Sequence, residues 1–149
     1  MTPSQLSTLK ADMLADPSIV TMIQAGNALG IKKAYNAQTA TPCWRTSLPF
    51  ADAWAGVDKT EYIALGQGNR DAFALMFREG SVNPSIAAVR QDFTDIIPVS
   101  APNTRAGLSA AAQRMCSRVE LLFATGGAVK TLVFEGTLGA QDVADALRS

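Results

Sequence analysis

The sequence contains no histidine in 149 residues. Histidine is the usual general base near neutral pH and the commonest metal ligand. Its absence excludes Ser-His-Asp and Cys-His nucleophile pairs and every zinc site built on imidazole. Charge is also scarce. Only 17% of the residues are charged, against about 25% in ordinary globular domains. The 13 basic residues balance the 13 acidic ones, and the longest basic cluster is Lys32-Lys33. No net field draws such a chain to a phosphate backbone, so sequence-specific nucleic-acid binding is not expected. No apolar run approaches the roughly 18 residues of a membrane span. The opening Met1-Thr2-Pro3-Ser4-Gln5 has neither a basic n-region nor an apolar h-region. Synthesis in the cytoplasm, with no membrane partner, is the expectation.

Cysteine is nearly absent too. Cys43 and Cys116 lie far apart and belong to no C-x-x-C pair. They are expected to be thiols buried as small apolar side chains. A catalytic thiolate needs an activating base, and no imidazole is present to supply one.

What the chain does have is helical periodicity. Ser4 is placed to cap a first helix carrying Leu6, Leu9, Met13 and Leu14. Asp16-Pro17-Ser18 ends it and starts a second with Ile19, Met22 and Ile23. Asn27 caps a third through Ile31, Ala34 and Tyr35. Residues 36–47 are polar, rich in Thr and Ala, and read as a loop holding Cys43, Trp44 and Arg45. Ser47-Leu48-Pro49 reads as a cap before Phe50, Ala53, Trp54 and Val57. Asp58-x-x-Glu61 and Ser117-x-x-Glu120 both match a capping box.

The strongest helical pattern follows Asn83-Pro84, with Ile86, Val89, Phe93, Ile96 and Ile97 on one face and Pro98 as its stop. Thr104 begins another helix through Leu108, Ala111, Ala112 and Met115. Phe50, Trp54, Tyr62, Phe73, Phe77 and Phe93 fall at helical spacing and are expected in the core. The tail changes character. Val129 to Phe134 is β-rich and short, and Thr137 to Ser149 returns to helix. A lone strand cannot satisfy its own backbone donors. It must pair locally, lie as a strap on the helices, or pair with a neighbouring subunit. The expected fold is therefore mainly α, a helical bundle with a short β strand or hairpin near the C-terminus. It forms a single helical domain over 1–149, with an interaction-prone segment at 127–149.

The polar residues form no recognisable catalytic motif. Gly66-Gln67-Gly68 follows a helical pattern, lacks the third glycine of a dinucleotide fingerprint, and reads as a helix kink or a break between two short helices. Asp92 and Asp95 lie three apart off the apolar face of their helix, which suits a solvated surface. No catalytic, cofactor-binding or metal-ligating residue is assigned. Arginines outnumber lysines, eight to five, and arginine favours bidentate contacts at interfaces. Arg45 beside Trp44 is the best contact candidate. Val133 and Phe134 complete the candidate interface.

Several stretches resemble small virion proteins of tailed bacteriophages. They are Arg45-Thr46-Ser47 leading into a helix, Ile86-Ala87-Ala88-Val89-Arg90 through Phe93, and Arg118-Val119-Glu120-Leu121-Leu122-Phe123-Ala124-Thr125-Gly126. The ending Phe134-Glu135-Gly136-Thr137-Leu138, followed by Asp142-Val143, is similar as well. By size and helical content the resemblance points to the head–tail adaptors, or connectors. It implies a virion protein of the neck, self-associated in a ring of about a dozen copies. That ring would dock on the portal protein and bridge it to tail or stopper proteins, with no enzymatic residues. The alternatives are another virion component (capsid-stabilising, stopper or tail-terminator), or a cytoplasmic helical binding module outside the virion.

Overall fold

The computed structural model describes residues 1–149. Its first helix, α1 (Pro3–Ala15), is opened by a reciprocal box. The Gln5 N–H donates to the Thr2 hydroxyl, and the Thr2 N–H donates to the Gln5 side chain. The cap is thus Thr2 rather than Ser4, because Pro3 already suits the first helical position. Asp16 ends α1 and caps α2 (Pro17–Gln24), accepting from the Ser18 N–H at 2.9 Å. Asn27 caps α3 (Ala28–Asn36) through the Gly30 N–H at 2.8 Å.

Residues expected to form a loop come next, and most of them are extended. Gln38–Trp44 is a strand, β1. Thr39, Thr41 and Cys43 sit more deeply than Gln38 and Ala40, the alternation of a half-buried strand. Two short strands, β2 (Leu48–Pro49) and β3 (Ser81–Val82), pair antiparallel with Leu48 opposite Val82. Between them lie α4 (Phe50–Ala55), α5 (Lys59–Ala64) and α6 (Gln67–Met76). Ser47 makes no cap for α4, whose N-cap is Pro49. Gly66 separates α5 from α6, the break expected there.

The strongest sequence pattern becomes α7 (Ala87–Ile96), and α8 (Pro102–Ala111) follows. The α7 N-cap is Ile86; Asn83 closes a turn before it, accepting from the Ser85 N–H at 3.0 Å. Met115 does not continue α8. It lies in β4 (Gln113–Ser117), which pairs with β1 in a two-stranded sheet. The capping box of Ser117 and Glu120 then opens α9 (Arg118–Phe123) as its spacing predicts. The last element is α10 (Ala140–Arg148).

The fold is mainly α, with ten helices and two small sheets. A C-terminal strand or hairpin does not form. The β-rich stretch makes one antiparallel bridge, Thr125 to Thr131, with hydrogen bonds of 2.9 and 2.8 Å. The Lys130 N–H donates to the Pro42 carbonyl at 2.9 Å, and beyond the stretch side chains hold the backbone. The Asn36 amide donates to the Leu138 carbonyl at 3.0 Å and accepts from the Leu138 N–H at 2.7 Å. Glu120 accepts from the Gly136 N–H at 3.2 Å. Backbone groups satisfied this way need no strand partner.

Where the sequence reads as one helical domain, contacts resolve two compact units. The first joins Met1–Pro42 to Met115–Ser149, and the second is Cys43–Arg114. A pattern read along the chain cannot see that its two ends share a core. In the first unit that core is mostly aliphatic, with Leu9, Met13, Ile19, Ile31, Val119 and Val143 all but fully buried around the one buried aromatic side chain, Tyr35. In the second it is built on Phe73, Phe77, Phe93, Ile97 and Leu108. The second unit also holds a close helix crossing. A Cβ added to Gly107 of α8 would lie 1.8 Å from the Gly56 carbonyl oxygen, just past α4. Backbone meets backbone there, a contact only glycine permits.

Candidate functional site

A cleft of about 150 Å³ opens in the second unit. Its walls are Phe93 from α7, Leu108 from α8, Ala112 just after α8, and Trp44 at the end of β1. Phe93 and Leu108 are carried there by the periodicity that made both helices legible. Thr94 and Ser109 supply hydroxyls at the edge, and two arginines, Arg90 and Arg105, complete the lining. The Arg90 guanidinium stacks over the Trp44 ring at 4.6 Å. Its Nη1 donates to the Pro84 and Ser85 carbonyls at 2.6 and 2.9 Å. Arg105 Nη2 donates to the Thr94 carbonyl at 3.1 Å. These bonds go to carbonyl oxygens. Neither guanidinium is in an ion pair with a carboxylate, and each has more N–H groups than these bonds use. The cleft can accept an apolar group with negative charge beside it.

The four sequence-chosen contact residues have different fates. Trp44 lines the cleft. Arg45 is tied into the second unit, donating to Asp52 at 2.7 Å and to the Gln113 carbonyl at 3.3 Å. In the first unit Val133 is exposed, whereas the Phe134 ring packs edge-on against Phe123 at 5.8 Å. The cleft gathers only Trp44 of the four. Arg90 and Arg105 were not singled out as a pair, because they lie on different helices. The one available signal was that neither has a carboxylate three or four residues away on its own helix face.

Glu61 departs from its expected role. Asp58 caps α5 by accepting from the Thr60 and Glu61 N–H groups at 2.9 and 3.1 Å. The Glu61 carboxylate instead reaches α8, accepting from the Thr104 and Asn103 N–H groups at 2.7 and 3.1 Å. Desolvation pushes the Glu61 carboxyl up, but these donors outweigh it and hold it below its ordinary value. An anion at a helix start is favoured by the exposed N–H groups and the dipole.

The first unit holds a polar clasp. Arg118, at the start of α9, donates to Asp16 at 2.7 Å and to Asp12 at 3.0 Å. Its guanidinium lies 4.4 Å over the Tyr35 ring, and the Tyr35 hydroxyl donates to Asp12. The Ser18 hydroxyl and then Arg118 hold the Asp16 carboxyl well below its usual range. Burial, then the hydrogen bond to Asp12, pushes the Tyr35 phenol well above its ordinary value. Desolvation opposes the charge on Arg118, but Asp16 and Asp12 outweigh it and raise that group. Each group of the clasp has its partner within the fold, so the clasp reads as structure.

Asp92 and Asp95 are exposed on α7, and Asp95 accepts from Gln91 at 2.8 Å. No group of three or more Cys, Asp or Glu side chains is placed to hold a metal ion. No helix is long and apolar enough to cross a membrane. Cys43 and Cys116 are buried and form no disulfide. No protein-family model, curated protein or solved structure matches the chain.

Proposed function

We propose that this protein is a structural component of a tailed-phage virion, a head–tail adaptor that assembles as a ring. Its partners are then its own copies, the portal above and tail or stopper proteins below. One observation carries the reading. Large apolar side chains stand exposed on both units of a chain with little charge. Leu29, Ile63, Leu75, Val99 and Val133 are each between 65% and 79% exposed. One such residue is ordinary on a monomer. Their recurrence suits a subunit that covers them on assembly, where each Å² of apolar area removed from water contributes about 25 cal/mol. The resemblance from residue 45 onward supplies the class of assembly. In this reading the chain catalyses nothing and holds no cofactor.

The test is mass spectrometry of purified particles, with copies counted against the major capsid protein. About a dozen copies per particle supports a cyclic ring at the neck. Hundreds would move the protein to the capsid or tail tube, and absence from particles would defeat the virion reading.

A further inference from the structure

We propose that the cleft of the second unit is the socket of a head-to-tail contact between copies. Its plug is Leu75 of a second copy, with Asp71 and Glu79 beside it. The proposal rests on the ring reading and gives that ring a specific contact. The socket, at about 150 Å³, has the capacity of one large apolar side chain; a cavity of roughly that size accepts a benzene ring. It carries the charge of Arg90 and Arg105, and no carboxylate neutralises either.

The plug has the matching features. Leu75 is 65% exposed on α6. Asp71 lies one turn earlier on the same helix face, and its one bond within the chain is from the Gln67 amide at 2.6 Å. Glu79 borders the same surface depression as Leu75, together with Arg78. Arg70 bonds the same Gln67 side chain that holds Asp71, at 2.8 Å. Arg78 and Arg70 are the two like charges the contact must accommodate. Several other exposed apolar side chains have neighbouring carboxylates that are already engaged. Asp52 near Phe50 is held by Arg45. Asp12 and Asp16, flanking Leu14, are held by Arg118. Glu61 near Ile63 is held by the start of α8. Leu75 is thus an apolar knob flanked by two carboxylates in no ion pair, and the cleft is an apolar hole flanked by two guanidinium groups in no ion pair. Both lie on the second unit, on different elements. A contact between two different patches is heterologous and propagates into a closed ring or a filament.

Sedimentation velocity of the full chain over a concentration series tests this, with Leu75→Asp and Arg105→Glu as variants. The wild type is expected to assemble beyond dimers. Each variant is expected to lose association by about tenfold or more. Mixed in equal amounts, the two variants retain one intact plug and one intact socket between them. The mixture is therefore expected to form dimers and stop. A monomeric wild type overturns the proposal, and so do variants that assemble like the wild type. Circular dichroism checks folding. If Arg105→Glu unfolds because Thr94 loses its donor, the exposed Leu75→Asp carries the test alone, and wild-type assembly by that variant overturns the contact. The particle count stands apart. A dozen copies per particle together with unaffected Leu75→Asp assembly removes this contact and keeps the adaptor. Absence from particles together with Leu75-dependent assembly does the reverse.

Discussion

The two units solve the same problem with different materials. The second is one uninterrupted stretch, Cys43–Arg114, and its centre is aromatic. Phe50, Trp54, Tyr62, Phe73 and Phe77 form a continuous set of ring contacts, from the 4.9 Å edge-on pair of Trp54 and Tyr62 to the 6.3 Å pair of Phe50 and Phe73. Its helices are short, and rings of large area let short elements bury enough surface. The first unit is assembled from two ends of the chain, around aliphatic residues. It secures the distant segments with polar side chains: Arg118 on Asp12 and Asp16, and Asn36 on Leu138. A locally continuous core can rely on packing, which does not depend on direction. A discontinuous one also needs contacts that fix register, and hydrogen bonds between named atoms do that.

The comparison can be broken first at the aromatic centre. Phe73 is fully buried, and Phe73→Ala should cost roughly 3–5 kcal/mol in chemical denaturation. Hydrogen exchange is expected to accelerate first in residues 43–114. Next comes the glycine crossing. Gly107→Ala sets a methyl against a carbonyl oxygen that no rotamer change can move, so a loss of about 3 kcal/mol is expected. A thermal midpoint equal to the wild type would refute the backbone contact.

The first unit should respond to smaller, polar changes. Arg118→Met leaves Asp12 and Asp16 without their cation; with the group one-third exposed, a cost of about 1–2 kcal/mol is expected. Asn36→Ala removes both bonds to Leu138 and should cost about 1–2 kcal/mol. Its clearest readout is faster exchange at the Leu138 N–H. The smallest effect is on pH dependence. Asp16 is held below its ordinary value of 3.8, so its contribution is complete above that pH and is lost as acid protonates the folded form. Tyr35 is raised above 10.0, so its contribution holds below that pH and is lost as alkali ionises the phenol. Asp16→Asn should flatten the acid limb of the stability profile and leave the alkaline limb in place.

Much of this was legible where one residue type acts on its near neighbours. Asp16, Asn27 and the Ser117–Glu120 box all cap helices as their spacing predicts, because a cap needs only residues two or three away. The six spaced aromatics predict a core for the same reason, although Phe50 remains 40% exposed. The errors share a cause as well. The β1 segment reads as a loop because Pro42 and the Thr and Ala around it look like turn chemistry. Its partner, β4, comes only after α4 to α8 in the sequence. Glu61 fits a local capping box, but a helix start more than forty positions away competes for its carboxylate. The β-rich tail reads as a strand because nothing nearby shows that its Lys130 N–H goes to the distant Pro42 carbonyl. The cleft was half legible: Trp44 stood out, while Arg90 and Arg105 became a pair only when α7 and α8 came together.

The discontinuous first unit has a consequence for how the protein is made. The ribosome releases α1, α2 and α3 well before Val119, Leu138, Val143 and Ala146, which complete their core. The whole of Cys43–Arg114 emerges in between. During that interval the earliest helices hold an apolar face with no native cover, and the nascent chain is most open to chaperones or to premature association. A truncation in the final helix would therefore expose its damage at the opposite end of the sequence.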